Sequence, residues 1–526
     1  MSIFIFLIIF FAFIFSYFIY GGLLNKIFEV DKNKKTPAYN FYDGIDYVPA
    51  KNWLVLFGHH FSSIAGAGPI IGPIIAVMLW GWLPAILWVV FGTIFIGGVH
   101  DFGSLIVSVK EDGATIADIS KKIISKRAKI IFSLFVWFAL ILVIAVFAYL
   151  CADTFTKSPE IILPSLGLIP VALIVGYLLY KTNLNSFLIT VFGIVCLGFL
   201  IFLGKNFIVK LDINFWLVVL FIYAFFASIL PVNILLQPRD YISSFLLFFG
   251  LTAGIFGLFL ARPKITMPAF ISFNTTDGFL WPMMFVTVAC GAISGFHSLI
   301  SSGTTSKQIS SQLHAKKIGY GAMIAEGLLA TVVIFAIASL FRKNYNFYLI
   351  LKTQGPVAIF GEGFSMITKN ILGNFGKILP ITILNAFILT TLDTATRITR
   401  YLTEELFKLK NRYLSTFLVI IASAILAFSK KWQAIWPIFG ASNQLVAALT
   451  LFVLSSWLLL KKKHSTFTLI PAFFMFITTV SALILQFIKY FKNKEILLVI
   501  IDLILIVLAF FMLFEVFYAI RRRYGK

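Results

Sequence analysis

Residues 57–73, FGHHFSSIAGAGPIIGP, set Gly58, Gly66, Gly68, Pro69, Gly72 and Pro73 inside an apolar run long enough to cross a bilayer. Gly costs about 1 kcal/mol and Pro about 3 kcal/mol in a helix interior. This density of both predicts a helix broken in mid-membrane. Unwound backbone is tolerated at that depth only where protein or a water-filled cavity satisfies its N–H and C=O groups. The chain is thereby constrained to a bundle whose interior lines a cavity.

The rest of the sequence supplies that bundle. Of 526 residues 60% are hydrophobic and 12% charged, against about 45–50% and about 25% in soluble domains. Runs of about 20 apolar residues, the length that spans a bilayer, lie near 2–24, 53–80, 83–107, 129–152, 161–180, 186–204, 213–236, 241–261, 281–303, 319–341, 376–396, 413–429, 432–460, 466–488 and 495–520. The expectation is an all-α polytopic protein with about fifteen crossings. The first run has no basic n-region and no small-residue cleavage site, so it reads as a retained helix and not a signal peptide. The stretch 342–375 between two runs is long enough to dip into the membrane.

The net charge of +22 would suggest nucleic acid in a soluble protein. Here Lys and Arg cluster in short loops, at 121–129, 397–412, 461–463 and 521–523. With an odd number of crossings and the N-terminus outside, these clusters and the C-terminus all fall on the cytoplasmic side, which collects Lys and Arg. The partner is therefore membrane lipid; nucleic acid is excluded and no obligate protein partner is readable. Cys151, Cys196 and Cys290 lie in or beside apolar runs with no Cys-x-x-Cys spacing, which argues against a disulfide framework or structural zinc. No GxxxxGK[ST] motif occurs, so the chain is not an ATP-driven pump.

A second break is expected in 226–240, FASILPVNILLQPRD, where Pro231 interrupts an apolar run between Ser228 and Asn233. The two breaks open two sets of five runs. Because five is odd, the second set enters from the opposite side, the pattern of secondary transporters that bind their solute at the midplane. The expected organisation is an N-terminal helix and cytoplasmic loop (1–52), a first five-helix repeat (53–212), an inverted repeat (213–412) and peripheral helices (413–526).

Polar residues inside spans are functional candidates by default. His59 and His60 are neighbours, so they point about 100° apart on a helix and cannot both hold one ion as His-x-x-x-His would. Each could exchange a proton, or be a buried His bonded to a carbonyl. His100 and Asp101 near the end of one span could form a proton or cation site, or Asp101 could cap the helix and meet Lys110. Ser294, His297, Ser298, Ser301 and Ser302 recur at three- and four-residue steps and form one polar stripe. Glu326 has no basic neighbour at helical spacing, whereas Asp393 precedes Arg397 by four residues and reads as a local ion pair. The cluster WPIFGASNQLVAAL (436–449) reads as close helix packing.

GHHFSSIAGAGPIIGP, LPAILWVVFGTIFIGGVHDF, ASILPVNILLQPRDY, ACGAISGFHSLISSGTTSKQI, GYGAMIAEGLLA, TLDTATRITRYL and WPIFGASNQLVAAL resemble, in the same order, blocks of the carbon starvation protein A (CstA) family, over most of residues 50–450. The resemblance implies a transporter of the prokaryotic inner membrane, carrying peptides or, in some relatives, pyruvate with protons. It also implies a LeuT-type inverted-repeat core of the amino acid–polyamine–cation superfamily. The final spans match least.

On this reading the chain is a secondary active transporter without an organic cofactor, coupled to H⁺ or Na⁺; whether it holds a metal is left open. Candidates for the solute are His59, Ser62, Ser63, Gly66, Ala67, Gly68, Ser228, Asn233, Ser294 and His297, with the half-helix N-terminus after the break receiving a carboxylate. Candidates for ion coupling are His60, Asp101, Ser298, Ser301 and Glu326. The competing classes are an intramembrane metal-dependent enzyme, which needs ligands converging on one point, and a channel, which needs a pore-lining filter.

Overall fold

The computed structural model describes residues 2–341, 346–429 and 432–524. Among them, twelve helices are long and apolar enough to cross a membrane. They include α1 (Ser2–Ile27), α4 (Trp82–Lys110), α6 (Lys126–Lys157), α7 (Pro159–Lys181), α8 (Ser186–Gly204), α10 (Leu236–Ala261), α13 (Lys316–Leu340), α16 (Ile378–Leu406), α18 (Trp432–Leu460), α19 (Thr466–Lys492) and α20 (Ile496–Ala519). The twelfth, Trp53–Trp80, consists of α2 (Trp53–Ala65) and α3 (Gly68–Trp80) with a break between them. Two shorter apolar helices are α9 (Ile213–Ile229) and α17 (Arg412–Ala427). A further segment is itself interrupted, into α11 (285–292) and α12 (Gly295–Gly303). Short helices α5 (Ile116–Ile123), α14 (Phe347–Gln354) and α15 (Pro356–Leu372) lie between spans. A hairpin of β1 (Asn274–Thr275) and β2 (Gly278–Phe279) sits at one end of the bundle.

Local chemistry sets several boundaries. Asn52, Thr115, Ser125, Asp212 and Asn411 each accept a backbone N–H at the start of the helix that follows, satisfying donors that have no intrahelical partner. Pro231 pushes Leu230 into extended backbone (φ −72°, ψ 149°), as the residue before a proline prefers. The expected break in 226–240 is thus a turn joining two separate helices. The four residues 237–240, which separate the expected runs 213–236 and 241–261 and so read as a short cytoplasmic loop, are the buried first turn of α10.

Burial separates core from rim. The most apolar window of the broken segment 53–80 is 94% buried and that of α16 is 89% buried, against 28% for α1 and 33% for α20. Phe4, Phe15 and Phe18 on α1 and Phe511 and Phe514 on α20 are exposed, as lipid-facing side chains must be. α6 and α16 lie side by side at the centre, with α2, α10 and α18 packed against one or both.

The two ends differ. At the hairpin end, Leu83 N–H donates to Ala269 O and Ile271 N–H to Trp80 O. A pocket of about 150 Å³ opens near this end, lined by residues that include Ile75, Met283, Thr287, Tyr348, Trp432 and Trp436. At the opposite, lysine-rich end the loop 28–52 is tied down. Ala50 N–H donates to Gln308 O, Lys110 Nζ to Glu29 O, and Asp46 receives Tyr401 and faces Arg397. The stretch 342–375 holds α14 and α15, the latter against α10, α13 and α3; its residues 342–345 lie outside the described residues, as do 525–526 of the expected inside tail.

Candidate functional site

Both interruptions are closed by side chains from distant helices. At the first, Gly66 adopts φ +37°, ψ −154°, a backbone region that essentially only Gly occupies. Thr391 Oγ1 donates to the freed Ser63 carbonyl at 3.2 Å, and Ser63 Oγ lies 3.5 Å from Thr394 Oγ1. At the second, Ile293 (φ −161°, ψ 136°) and Ser294 (φ −139°, ψ 126°) are extended. Thr93 Oγ1 donates to Gly291 O at 3.1 Å, and Asn443 Oδ1 accepts Phe296 N–H at 2.8 Å. This is the internal satisfaction that irregular backbone at membrane depth requires. The breaks abut: a Cβ on Gly68 would collide with the Cys290 side chain.

Two buried polar networks flank the breaks. The first joins α2, α10, α9 and α16. His59 Nδ1 lies 2.8 Å from Asp240 Oδ2, while Asp240 Oδ1 accepts from Arg239 at 2.9 Å and Thr390 at 3.0 Å. Arg239 also pairs with Asp393 and donates to Tyr223, whose hydroxyl donates to Asp393 at 2.6 Å. Ser62 Oγ donates to the Asp240 carbonyl at 3.3 Å. The local Asp393–Arg397 pair expected from i, i+4 spacing is therefore not formed. Asp393 is taken by the buried Arg239, and Arg397 donates instead to the carbonyls of Ala227 and Leu230 left open at the end of α9.

The second network joins α4, α12 and α13. Asp101 does not meet Lys110. Its Oδ1 lies 2.7 Å from His100 Nδ1 and its Oδ2 2.8 Å from His297 Nδ1. His297 Nε2 then faces Glu326 Oε2 at 3.4 Å. All four residues are 0% exposed. His60, on α2, bonds Thr305 Oγ1 at 2.8 Å and is within electrostatic reach of Asp101 and His297. Among the described residues, neither carboxylate oxygen of Glu326 makes a hydrogen bond, and neither do the Nε2 atoms of His59, His60, His100 and His297.

This arrangement constrains protons. With Asp101 ionised, Nδ1 of His297 carries the hydrogen that the carboxylate accepts, so Nε2 of the neutral ring is an acceptor. It faces another acceptor, Glu326. The contact is favourable only when one proton resides between them, on Nε2 or on the carboxyl. Removing it leaves two lone pairs opposed between fully buried side chains, a costly state.

The Ser/His stripe divides in the structure. Ser298 bonds its own helix and Thr450 of α18 (3.1 Å), whereas Ser301 reaches the Asp101 carbonyl (3.5 Å) and Ser302 receives the Ile116 N–H (3.3 Å). Ser298 and Ser301 thus face different helices. Ser294 lies at the second break, 2.9 Å from Asn443 Nδ2. Ala67 and Gly68 follow the first break and open α3. Ser228 lies at the end of α9 and Asn233 in the following turn, which packs on Gly176 of α7. Among the described residues no hydrogen bond joins either of them to a break.

Several central residues escaped sequence reasoning. Arg239 and Asp240 followed a proline and looked like a loop. Thr93, Thr390, Thr391 and Thr305 carry no local signal. Asn443 lay in a cluster that reads as packing, although an Asn and a Gln side by side in a span (Asn443, Gln444) were a usable cue. Among the described residues no group of three or more His, Cys, Asp or Glu side chains is arranged to hold a metal ion.

The family profile described as carbon starvation protein CstA matches residues 1–349 and 346–482. The chain is 30% identical to the Bacillus subtilis peptide transporter CstA, over 88% of this chain and 87% of that protein. It is 29% identical to the Escherichia coli pyruvate/proton symporter BtsT, over 88% of this chain and 78% of that one. Among solved structures, it resembles the Eremococcus coleocola manganese transporter with a TM-score of 0.53 at 13% identity, over 91% of this chain and 99% of that one, a likeness of fold. The chain belongs to the CstA family, whose members are transporters and not enzymes.

Proposed function

We propose that this CstA-family transporter is a secondary active symporter that couples entry of a carboxylate-bearing solute to one proton. The coupling site is the Glu326–His297–Asp101–His100 chain. The observation that carries the reading is the pair of facing acceptors, His297 Nε2 and Glu326 Oε2, 3.4 Å apart. Such a pair needs a proton to be stable and can pass it between α12 and α13. Na⁺ is disfavoured because its candidate ligands, Ser298 and Ser301, turn to different helices with their hydroxyls already bonded.

The solute binds where the two breaks meet, at Gly66–Gly68 and Ile293–Ser294. The N-terminus of α3 is positioned to receive a carboxylate, a group that both a peptide and pyruvate carry. The relatives are named for both, and the peptide is the first substrate to test. Access is from the hairpin end, through the pocket beside Thr287. With the shorter helices α9 and α17 and the interrupted 281–303 segment counted as crossings, the twelve long spans become fifteen. The hairpin end and N-terminus then face outward, and the lysine-rich end and C-terminus face the cytoplasm, as the distribution of Lys and Arg favours. The two interrupted helices, the first run of the 53–212 set and the third of the 213–412 set, run in opposite directions, as an inverted arrangement requires, in the inner membrane of a prokaryote. No organic cofactor takes part.

The test is uptake into proteoliposomes of labelled dialanine and labelled pyruvate under a pH gradient, a Na⁺ gradient or neither. Accumulation driven by an inward proton gradient alone supports the reading; indifference to both gradients refutes symport.

A further inference from the structure

Two adjacent side chains of α18, Asn443 and Gln444, grip the second interrupted segment on opposite sides of its break. Gln444 Nε2 donates to Phe285 O at 2.7 Å. Asn443 Oδ1 accepts the Phe296 N–H at 2.8 Å, and its Nδ2 lies 2.9 Å from Ser294 Oγ and 3.3 Å from Cys290 Sγ. The amide orientation follows from chemistry, since only the oxygen can accept the N–H.

The contact is close as well as polar. A Cβ on Gly295 would run into the Asn443 carbonyl and the Val446 side chain, and one on Gly440 into Val286 O. Helix α12 begins at Gly295, and its own Ser294 makes no cap bond. Asn443 supplies that cap from another helix. It touches residues 290, 294 and 296, before, at and after the extended step, while Gln444 holds the far end of α11. Without these bonds, Phe296 N–H would lack a partner unless the chain closed into continuous helix through 293–294.

We propose that Asn443 and Gln444 are positioning residues for transport. They hold the Ile293–Ser294 step extended in the shape the solute meets, and they make α18 move with both halves of that helix. The uptake arm of the proposal rests on the transport reading above; the labelling arm does not.

Asn443→Ala, Asn443→Asp and Gln444→Ala are introduced into a Cys151→Ala/Cys196→Ala background, leaving Cys290 as the only thiol. Two quantities are read at matched protein: the rate of N-ethylmaleimide labelling of Cys290, and KM against maximal rate for pyruvate and dialanine uptake. Asn443→Ala is expected to label about tenfold faster, as an opened site would. Its KM should rise about tenfold with a much smaller change in maximal rate, the sign of lost binding geometry. Asn443→Asp keeps an oxygen for the Phe296 N–H and should label near the parental rate. Gln444→Ala should fall between.

Labelling and KM of Asn443→Ala within about twofold of the parent would overturn the proposal, and so would a fall in maximal rate alone. If Asn443→Ala does not fold, the ordering of Asn443→Asp and Gln444→Ala decides. If the parent carries neither solute, the transport reading fails, and the labelling contrast still decides whether Asn443 holds the break.

Discussion

Replacing Gly66 by Ala tests whether the first break is a built site or an accident of packing. Gly66 sits at φ +37°, ψ −154°, where a non-glycine residue costs about 1–3 kcal/mol. The added Cβ would lie 3.1 Å from Thr391 Oγ1 and 3.2 Å from Phe147 Cε2. Both neighbours must give way by a few tenths of an ångström, and the shift of Thr391 weakens the bond it donates to Ser63 O. The total is therefore at the upper part of that range. A penalty of about 2–3 kcal/mol corresponds to a change of roughly 30- to 150-fold in an equilibrium. The control is Gly198→Ala on the rim helix α8, where nothing lies within 4 Å of the new methyl and Ala gains up to about 1 kcal/mol of helix propensity. Thermal unfolding of both purified variants and their uptake KM are measured together. Gly66→Ala should lose stability or solute affinity on this scale while Gly198→Ala holds or gains. Parental melting and parental KM for Gly66→Ala would refute the argument that the break needs this backbone shape.

Three further outcomes follow from the same geometry. Thr391→Val leaves the Ser63 carbonyl without its donor and should cost about 1–3 kcal/mol, with Thr391→Ser restoring most of it in thermal melts. Asp393→Asn removes one of two carboxylates from the buried Arg239 and should cost about 3 kcal/mol, the low end for a broken buried pair because Asp240 remains; a melt unchanged from the parent would show that Arg239 does not depend on Asp393. At the lysine-rich end, burial works against ionisation of Asp118, but bonds from Lys129 at 2.6 Å and Thr115 hold its pKa below the ordinary carboxylate value. A depressed folded pKa adds stability above the unfolded value, about 3.9, that is lost as pH falls through the folded value. The melting difference between parent and Asp118→Asn should thus be present at neutral pH, begin to shrink below about pH 4, and vanish only below the depressed folded value.

The sequence was most informative where the chain breaks its own rules. Gly66, Gly68 and Pro69 announced the first break because nothing but a discontinuity explains them in an apolar run. The second break carries no such mark. Ile293 and Ser294 fit a helix locally, and what holds them extended comes from Thr93 and Asn443, each about 150 or more residues away. Pro231 drew the second discontinuity to itself, since local propensity is all a sequence exposes, and the structure uses it only to turn between α9 and α10. The same limit explains Asp393. Arg397 stands at the right helical spacing, but Arg239 approaches from another helix and is already committed to the buried side. Glu326 and His297 were singled out separately because buried polar groups are costly anywhere; that they face each other was a matter of tertiary packing.

The central claim, one proton held between His297 and Glu326 and carried with the solute, is tested most directly by watching the proton. Proteoliposomes loaded with a pH-sensitive dye receive dialanine, and in a parallel run pyruvate, without any imposed gradient, beside protein-free vesicles. The lumen should acidify in step with uptake through the parent protein. An imposed gradient of two pH units should drive accumulation up to about 100-fold, since each unit is worth about 1.4 kcal/mol per proton. Glu326→Gln retains an amide that can bond His297 but cannot surrender a proton, so acidification and accumulation should fail while exchange of labelled for unlabelled solute persists. Uptake by the parent without proton entry, or undiminished proton entry through Glu326→Gln, would contradict the claim.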